Sequence, residues 1–442
     1  MSHEIDKLVR EAVFGDVNAK AAARKKIHVE ARSRGAASAS IYALYMAVGR
    51  GEMPRRFTVP AFNIRALTYD SARALFRAAM RHDVGAFIFE IARSEIGYTE
   101  QRPAEYASCV LAAAIRENFR GPVFIQGDHF QASAKKWVTD EGRKAETKAL
   151  ESLIDEALAA EFYNIDIDTS TLVDLSFQCR EEQQRANYEG TAHFTQYIRA
   201  REPKGITVSI GGEIGEVGKY NTQPDEVRAY MNGLLQRIGN QTGISKISVQ
   251  TGTSHGGVPL ADGSIAQAKI DFEVLRKTTE ICRKEYGIAG SVQHGASTLP
   301  ESVFNKFPES NAVEIHLATG FQNMVLDAPS FPEEMKREIR DFCFANAADE
   351  RKAGETDEQF VYKTRKKAIG PFKQRMWDMP DSAKQPIIAA LEEKFEFLME
   401  KLGVFGTKDI VAKYVRPNEV PEYAAASEEL TAAAVVDPNE GE

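Results

Sequence analysis

The stretch "GSVQHGASTLP" (290–300) runs small and apolar residues into His294, then turns through Gly295, Ala296 and Ser297. A short apolar run bounded by turn residues reads as a buried strand. A strand that ends on an imidazole, a glycine and a hydroxyl carries chemistry at its C-terminal end. The same shape recurs along the chain. β-prone runs lie at "FTVPAF" (57–62), "GAFIFE" (85–90), "GPVFIQ" (121–126), "FYNIDI" (162–167), "GITVSI" (205–210), "KISVQT" (246–251), "AGSVQ" (289–293) and "AVEIHL" (312–317). Helical patterns fill the intervals. "YDSARALFRAAMRH" (69–82) offers Asp70 or Ser71 as a cap, and "PAEYASCVLAAAIREN" (103–118) opens on a proline suited to a first helical turn. "PDEVRAYMNGLLQRI" (224–238) and "KIDFEVLRKTTEICRKEY" (269–286) behave likewise.

Strand, helix, strand repeated eight times predicts an α/β protein with a parallel sheet, and eight such units fit a closed TIM (β/α)8 barrel. An open doubly wound sheet more often carries a glycine-rich loop after its first strand, and none follows residue 62. Around a barrel at 51–330, the pattern predicts an N-terminal helical segment (1–50), a charged C-terminal helical extension (331–416) and a disordered tail containing Pro, Ala and Glu (417–442). Residues 131–160 exceed a simple crossover, which suggests an inserted loop near "KKWVTDEGRK" (135–144) and then a helix.

The totals narrow the class. The chain has 442 residues, 43% hydrophobic and 27% charged, an ordinary globular composition. Its net charge of −8 argues against nucleic acid as a partner. Cys109, Cys179, Cys282 and Cys343 are widely spaced with no CxxC, as expected of reduced thiols in the cytoplasm. No apolar run reaches the roughly 18 residues of a membrane span, and the N-terminus lacks the apolar core of a signal peptide. A soluble cytoplasmic protein is the expectation.

In a TIM barrel the chemistry lies at the C-terminal ends of the strands. Reading past each run gives Asn63, Asp128 with His129, Asp168, Glu213, His255, His294, and finally His316 with Thr319. Three imidazoles and a carboxylate at one mouth suit Zn²⁺ or another divalent metal. Each ligating ring then needs an outer acceptor to fix its tautomer. Asp128 and His129 are neighbours, so on a regular strand they face opposite ways, and Asp128 is expected to reach substrate rather than metal. The pairs His255-Gly256 and His294-Gly295 fall on the strands whose loops commonly hold phosphate, with Ser297 and Thr319 as hydroxyl donors.

The pieces "VPAFNI" (59–64), "GDHF" (127–130), "IDTS" (167–170), "GGEIGEVG" (211–218), "VQTGTSHGG" (249–257), "KIDFEVL" (269–275), "QHGAST" (293–298) and "VEIHLATGFQ" (313–322), in this order, resemble the class II, metal-dependent fructose-bisphosphate aldolases and their tagatose-bisphosphate relatives. The resemblance implies that His129, Glu213, His255 and His294 bind the divalent metal, that Asp128 is the acid/base, and that Asn63 touches substrate. It implies a phosphate held by Gly256, Gly295, Ser297 and Thr319. Asp168 falls where some members have a carboxylate associated with a second cation, so a monovalent cation joins the expected cofactors. The resemblance also implies a homodimer or homotetramer. The pattern departs from the family in three places. His316 stands where members usually carry an asparagine that contacts the ketose, Ala92 in "FEIARSE" (89–95) stands near an expected serine, and "EVGKYN" (216–221) reduces a glycine-rich loop.

The leading expectation is therefore a lyase for a phosphorylated ketose, fructose 1,6-bisphosphate first. The metal would polarise the ketone and stabilise an enediolate, without a Schiff-base lysine, since no lysine sits at a strand end. The cations of "KTRKKAIGPFKQR" (363–375) are candidates for a second phosphate. The alternatives are an aldolase for another ketose such as tagatose 1,6-bisphosphate, a metal-dependent sugar epimerase with His316 as an extra base, and a non-catalytic barrel supporting a partner subunit.

Overall fold

The structure, a computed structural model, describes residues 2–215, 220–252 and 270–415. All eight expected strands are present: β2 (Val59–Asn63), β3 (Ile88–Ala92), β4 (Gly121–Gln131), β5 (Asn164–Asp168), β6 (Ser209–Glu213), β7 (Lys246–Ser248), β8 (Ser291–Gln293) and β9 (Glu314–Leu317). Each pairs in parallel with the next, and β2 pairs with β9 through Val59↔Glu314 to Phe62↔Leu317, which closes the barrel. Alternating helices, such as Pro103–Arg116 and Pro224–Ile238, cover it with their apolar faces inward, and each opens on its proline.

The N-terminal segment is not wholly helical. Helices Ser2–Phe14 and Val17–Ser33 give way to a short strand, β1 (Ala36–Ser38), which pairs in parallel with the first residues of β4 (Ala36↔Gly121). The chain reverses into β1 through Gly35 at φ +82°, a left-handed conformation that costs glycine little. The helix Tyr42–Gly49 then plugs the bottom of the barrel. The backbone N–H of Ile41 donates to Asn164 Oδ1 at 2.9 Å, and the buried Tyr45 hydroxyl donates to Glu314 inside the barrel.

Two local expectations are corrected. The helix Thr68–Arg81 is preceded by Leu67 at φ 51°, so Asp70 and Ser71 lie within its first turn rather than at its cap. The "KKWVTDEGRK" region is only partly loop, because Thr139 caps a helix that already begins at Asp140. The C-terminal extension is helical as expected. Its longest helix, Asp381–Lys401, lies along Thr68–Arg81 with Arg77 and Arg81 paired to Glu392. The tail from 416 onward lies outside the described residues. None of the four cysteines forms a disulfide, and no described helix is long and apolar enough to cross a membrane.

The barrel interior departs from the layers of branched apolar side chains usual in this fold. Lys246, 1% exposed at the start of β7, donates to Gln126 Oε1 (2.8 Å), to Asp166 Oδ2 (2.9 Å) and to Glu314. Gln126 in turn donates to Glu90 (3.1 Å) and Glu314 (3.0 Å). Space for this network comes from Gly211 on β6, where a Cβ would stand 2.3 Å from Asp166 Oδ1 and 2.9 Å from Lys246 Cε. Burial disfavours the Lys246 ammonium, but Asp166 and Glu314 outweigh it and hold the pKa above its ordinary value. Lys246 is thus a protonated structural cation and not an amine nucleophile.

Candidate functional site

A cavity opens at the C-terminal ends of the strands, with Asp128, His129, His294, Gly295, Ser297, His316 and Thr319 in its wall. Asp128 and His129 face it together, contrary to the strand-alternation argument. The register of β4 against β5 shifts between Gly127 and Phe130, and His129 takes φ 40°. A bulge of this kind re-aims a side chain, and here it leaves the Asp128 carboxylate 3.9 Å from His129 Nε2.

His129, Glu213 and His294 present ligand-capable atoms that all lie within 4.8 Å of one another. The two imidazole rings meet edge to face at 4.2 Å. Two nitrogens and a carboxylate, all buried, form a donor set suited to zinc, and outer acceptors are in place. Asp168 Oδ2 and Glu213 Oε2 each stand 3.1 Å from His129 Nδ1, and Ser248 Oγ stands 3.1 Å from His294 Nε2. Burial and the nearby Asp168 charge push Glu213 up to about 7, against the opposing pull of His129. The residues fit a divalent metal.

Asp168 stands as an orienting partner of His129, with its carboxylate 3.1 Å from the ring. Gln131 Nε2 (2.5 Å), Ser170 N (3.0 Å) and Ser170 Oγ (2.6 Å) take up its oxygens together with the ring. Burial would raise its pKa, but the hydrogen bond and charge of His129, together with the Ser170 and Gln131 hydrogen bonds, outweigh this and the pKa is lowered. Asn63 lies behind the cavity wall, 1% exposed, with its amide donating to Glu95 Oε2 at 2.6 Å, so it supports the wall instead of forming it. His255 and Gly256 lie outside the described residues.

His316 reaches the cavity but is not the amphoteric contact expected of an asparagine replacement. Nδ1 faces Glu90 Oε2 (3.0 Å) and Asp128 Oδ1 (3.1 Å), while Nε2 faces Glu314 Oε1 at 2.6 Å. Burial opposes a charge on the ring, yet Glu90 and Asp128 outweigh it and raise the pKa well above 6.5. With carboxylates facing both nitrogens, the geometry favours a ring that donates on both sides. Glu90 is pushed to about 8 by burial and the Asp128 charge, whereas Glu314, despite its burial, is brought to about 2 by Lys246 and His316. His316→Asn should therefore destabilise the protein by about 3–5 kcal/mol, the cost of removing one partner from a buried ion pair. Urea unfolding checks this, and an unchanged midpoint would show the ring to be dispensable to the network.

Sequence reading missed Glu90, Lys246, Arg65 and Glu95. Arg65 follows β2 and lines the cavity, with Nε 2.7 Å and Nη2 2.5 Å from Glu95 Oε1. Among the cations of 363–375, Lys363, Arg365, Lys367, Lys373 and Arg375 each pair with a carboxylate on the surrounding elements. Lys366 stands 5.6 Å from the centre of the Tyr98 ring. Burial, followed by the charge of Arg65, pushes Lys366 down to about 7. In the unfolded chain the amine keeps its proton to about pH 10.4, so the unfolded state holds the extra proton between these values, and stability linked to Lys366 rises with pH across the window. Lys366→Met should raise the melting temperature most below pH 7, and the gain should shrink toward pH 10. Melting curves at pH 6 and pH 9 test this.

Comparison with known proteins gives the following. The family model described as fructose-bisphosphate aldolase class-II matches residues 53–398. No curated protein matches the sequence. Among solved structures, the fructuronate-tagaturonate epimerase UxaE from Cohnella laeviribosi superposes with a TM-score of 0.55 at 12% identity, over 79% of this chain and 82% of that one. A probable tagatose 6 phosphate kinase from Sinorhizobium meliloti 1021 superposes with a TM-score of 0.52 at 15% identity, over 86% and 97%. At these identities the likeness is one of fold.

Proposed function

Because the chain belongs to the class II fructose-bisphosphate aldolase family, we propose that its barrel mouth is a divalent-metal aldolase site for a phosphorylated ketose, with fructose 1,6-bisphosphate as the first substrate to test. The observation that carries the reading is the placement of Asp128 in one cavity with His129 and His294, beside the Glu213 carboxylate. A bound Zn²⁺ or similar ion supplies Lewis-acid polarisation of the ketose carbonyl. His129, Glu213 and His294 would hold it, with His255 as a further ligand from outside the described residues.

The chain's own residues account for the proton. In the cleavage direction, Asp128 takes the proton of the C4 hydroxyl as the C3–C4 bond breaks. The bonding electron pair passes toward the carbonyl, and the C4 oxygen becomes the aldehyde of glyceraldehyde 3-phosphate. The three-carbon fragment regains one proton at C3, equal to the one Asp128 removed, which gives dihydroxyacetone phosphate with no net change in protons. His316 fixes the Asp128 carboxylate from behind through Oδ1. Gly295, Ser297 and Thr319 border the cavity on the side where this fold commonly holds phosphate.

Incubation with fructose 1,6-bisphosphate and with tagatose 1,6-bisphosphate, followed by triose phosphate analysis, tests the reading. Conversion of a ketose into its epimer with no triose released would move the site to epimerase chemistry. His316 lends that alternative no support, because both its nitrogens are held by carboxylates.

A further inference from the structure

We infer that the barrel carries a second anion site, on the face opposite the mouth, which takes a phosphate ester of a small molecule between Arg56 and Arg283. A cavity of about 310 Å³ lies there, bordered by Arg56 ahead of β2, Arg283 ahead of β8 and Asn311 ahead of β9. These three strands are neighbours in the barrel, so the segments that enter them meet at one place. The volume is that of a small-ligand pocket. The mouth lies at the other ends of the same strands, so the two sites stand a strand length apart, and the inference does not depend on what the mouth does.

The helix Phe272–Ile281 supplies much of the wall. It buries Leu275, Thr278 and Thr279 and turns Arg276 and Glu280 outward. It continues into a π-helical turn, Cys282–Tyr286, that ends at Gly287 with φ 67°. Such turns are rare and often mark functional sites. From this one Arg283 donates through Nε to the backbone carbonyl of Ala289 at 2.9 Å, which fixes the guanidinium while its two terminal nitrogens have no partner among the described residues. Arg56 makes one long contact, from Nη1 to the backbone carbonyl of Glu309 at 3.4 Å. The carboxylates of the wall are engaged elsewhere. Glu280 pairs with Lys284 at 2.6 Å and with Arg276 at 3.5 Å, and Glu309 Oε1 accepts from Asn305 Nδ2 at 3.1 Å.

Two guanidiniums thus face one cavity, and no described carboxylate pairs with either. Burial and the Arg56 charge hold Arg283 below its ordinary pKa, although Cys282 opposes them, so the like charges stand uncompensated until an anion enters. Asn311, at φ 60°, adds a side-chain amide with no partner among the described residues. A dianion balances the two arginines. Forks on two different elements match the tetrahedral oxygens of a phosphoryl group, whereas a planar carboxylate meets one fork. The cavity has room for more than the phosphoryl group, which favours an ester over the bare ion.

Calorimetric titration and hydrogen exchange read by mass spectrometry test the site on the full chain, with inorganic phosphate and glycerol 3-phosphate as probes. Both should slow exchange in residues 280–290 and 309–313, and the ester should bind at least as tightly as the bare ion. Arg283→Lys keeps the charge and loses the fork. Arg56→Gln removes an exposed cation whose one hydrogen bond is the long contact to Glu309, so the variant should fold normally. Each should weaken binding at this site about tenfold and remove the local protection, as expected on losing charge-assisted donors. Lys7→Gln, on the N-terminal helix, changes the net charge as Arg56→Gln does and should leave both readouts as in wild type. Phosphate that binds only at the mouth would leave 280–290 and 309–313 unprotected and would overturn the inference. Full protection in both folded variants would overturn it too, as would exclusion of the ester, or malonate protecting these segments as well as phosphate does.

Discussion

Asp128→Asn should lower kcat for ketose bisphosphate cleavage by about 10²–10⁴-fold, the range for loss of a positioned general acid/base, with the metal content unchanged. The reasoning is local. Asparagine has the size of aspartate, and its carbonyl can still accept from His316 Nδ1, now 3.1 Å from Asp128 Oδ1. The fold and the His129–Glu213–His294 set should therefore persist, and what disappears is the proton acceptor in the cavity. Single-turnover kinetics with metal analysis on the same preparation separates the outcomes. If metal content collapses with activity, Asp128 supports the ligands and does not act on the substrate.

Removing the metal should have the larger effect. Chelation with EDTA should abolish activity, and Zn²⁺ or Co²⁺ should restore it. His294→Ala should lose the ion, because the ligands that remain hold it weakly. There is a readout besides activity: a ligand present at 100 times its Kd stabilises the folded state by about 2.7 kcal/mol, so the stripped protein should melt lower and recover on adding Zn²⁺. In His294→Ala that recovery should vanish. An equal thermal response in the variant would place the ion elsewhere.

The barrel and much of its mouth were legible because both follow from periodicity. Runs such as "GITVSI" and "AVEIHL" are too short and too β-branched for helices, and the residue just past each run falls where the fold puts chemistry. That logic located Asp128, His129, Glu213, His294 and Thr319. It failed where geometry breaks the period. No pattern announces that His129 sits in a left-handed conformation at a bulge, so the shared facing of Asp128 and His129 had to be seen. Ala36–Ser38 is three small residues of low strand propensity, and only the edge offered by β4 makes it a strand. The interior ion network was hidden for a different reason. Glu90 and Lys246 look in the sequence like ordinary ends of apolar runs, and a buried charge is recognisable only when its partners, here on β4, β5 and β9, are brought beside it in space. Arg65 and Glu95 likewise look like loop charges until the barrel folds them against each other.

The most direct test of the account is a coupled assay for triose phosphate release from fructose 1,6-bisphosphate and tagatose 1,6-bisphosphate, run on one preparation before and after metal stripping. The account predicts triose phosphate from at least one of the two with metal bound, none after stripping, and recovery when Zn²⁺ is returned. Full cleavage by rigorously metal-free protein, or no triose from either sugar by the metal-loaded protein, would contradict it.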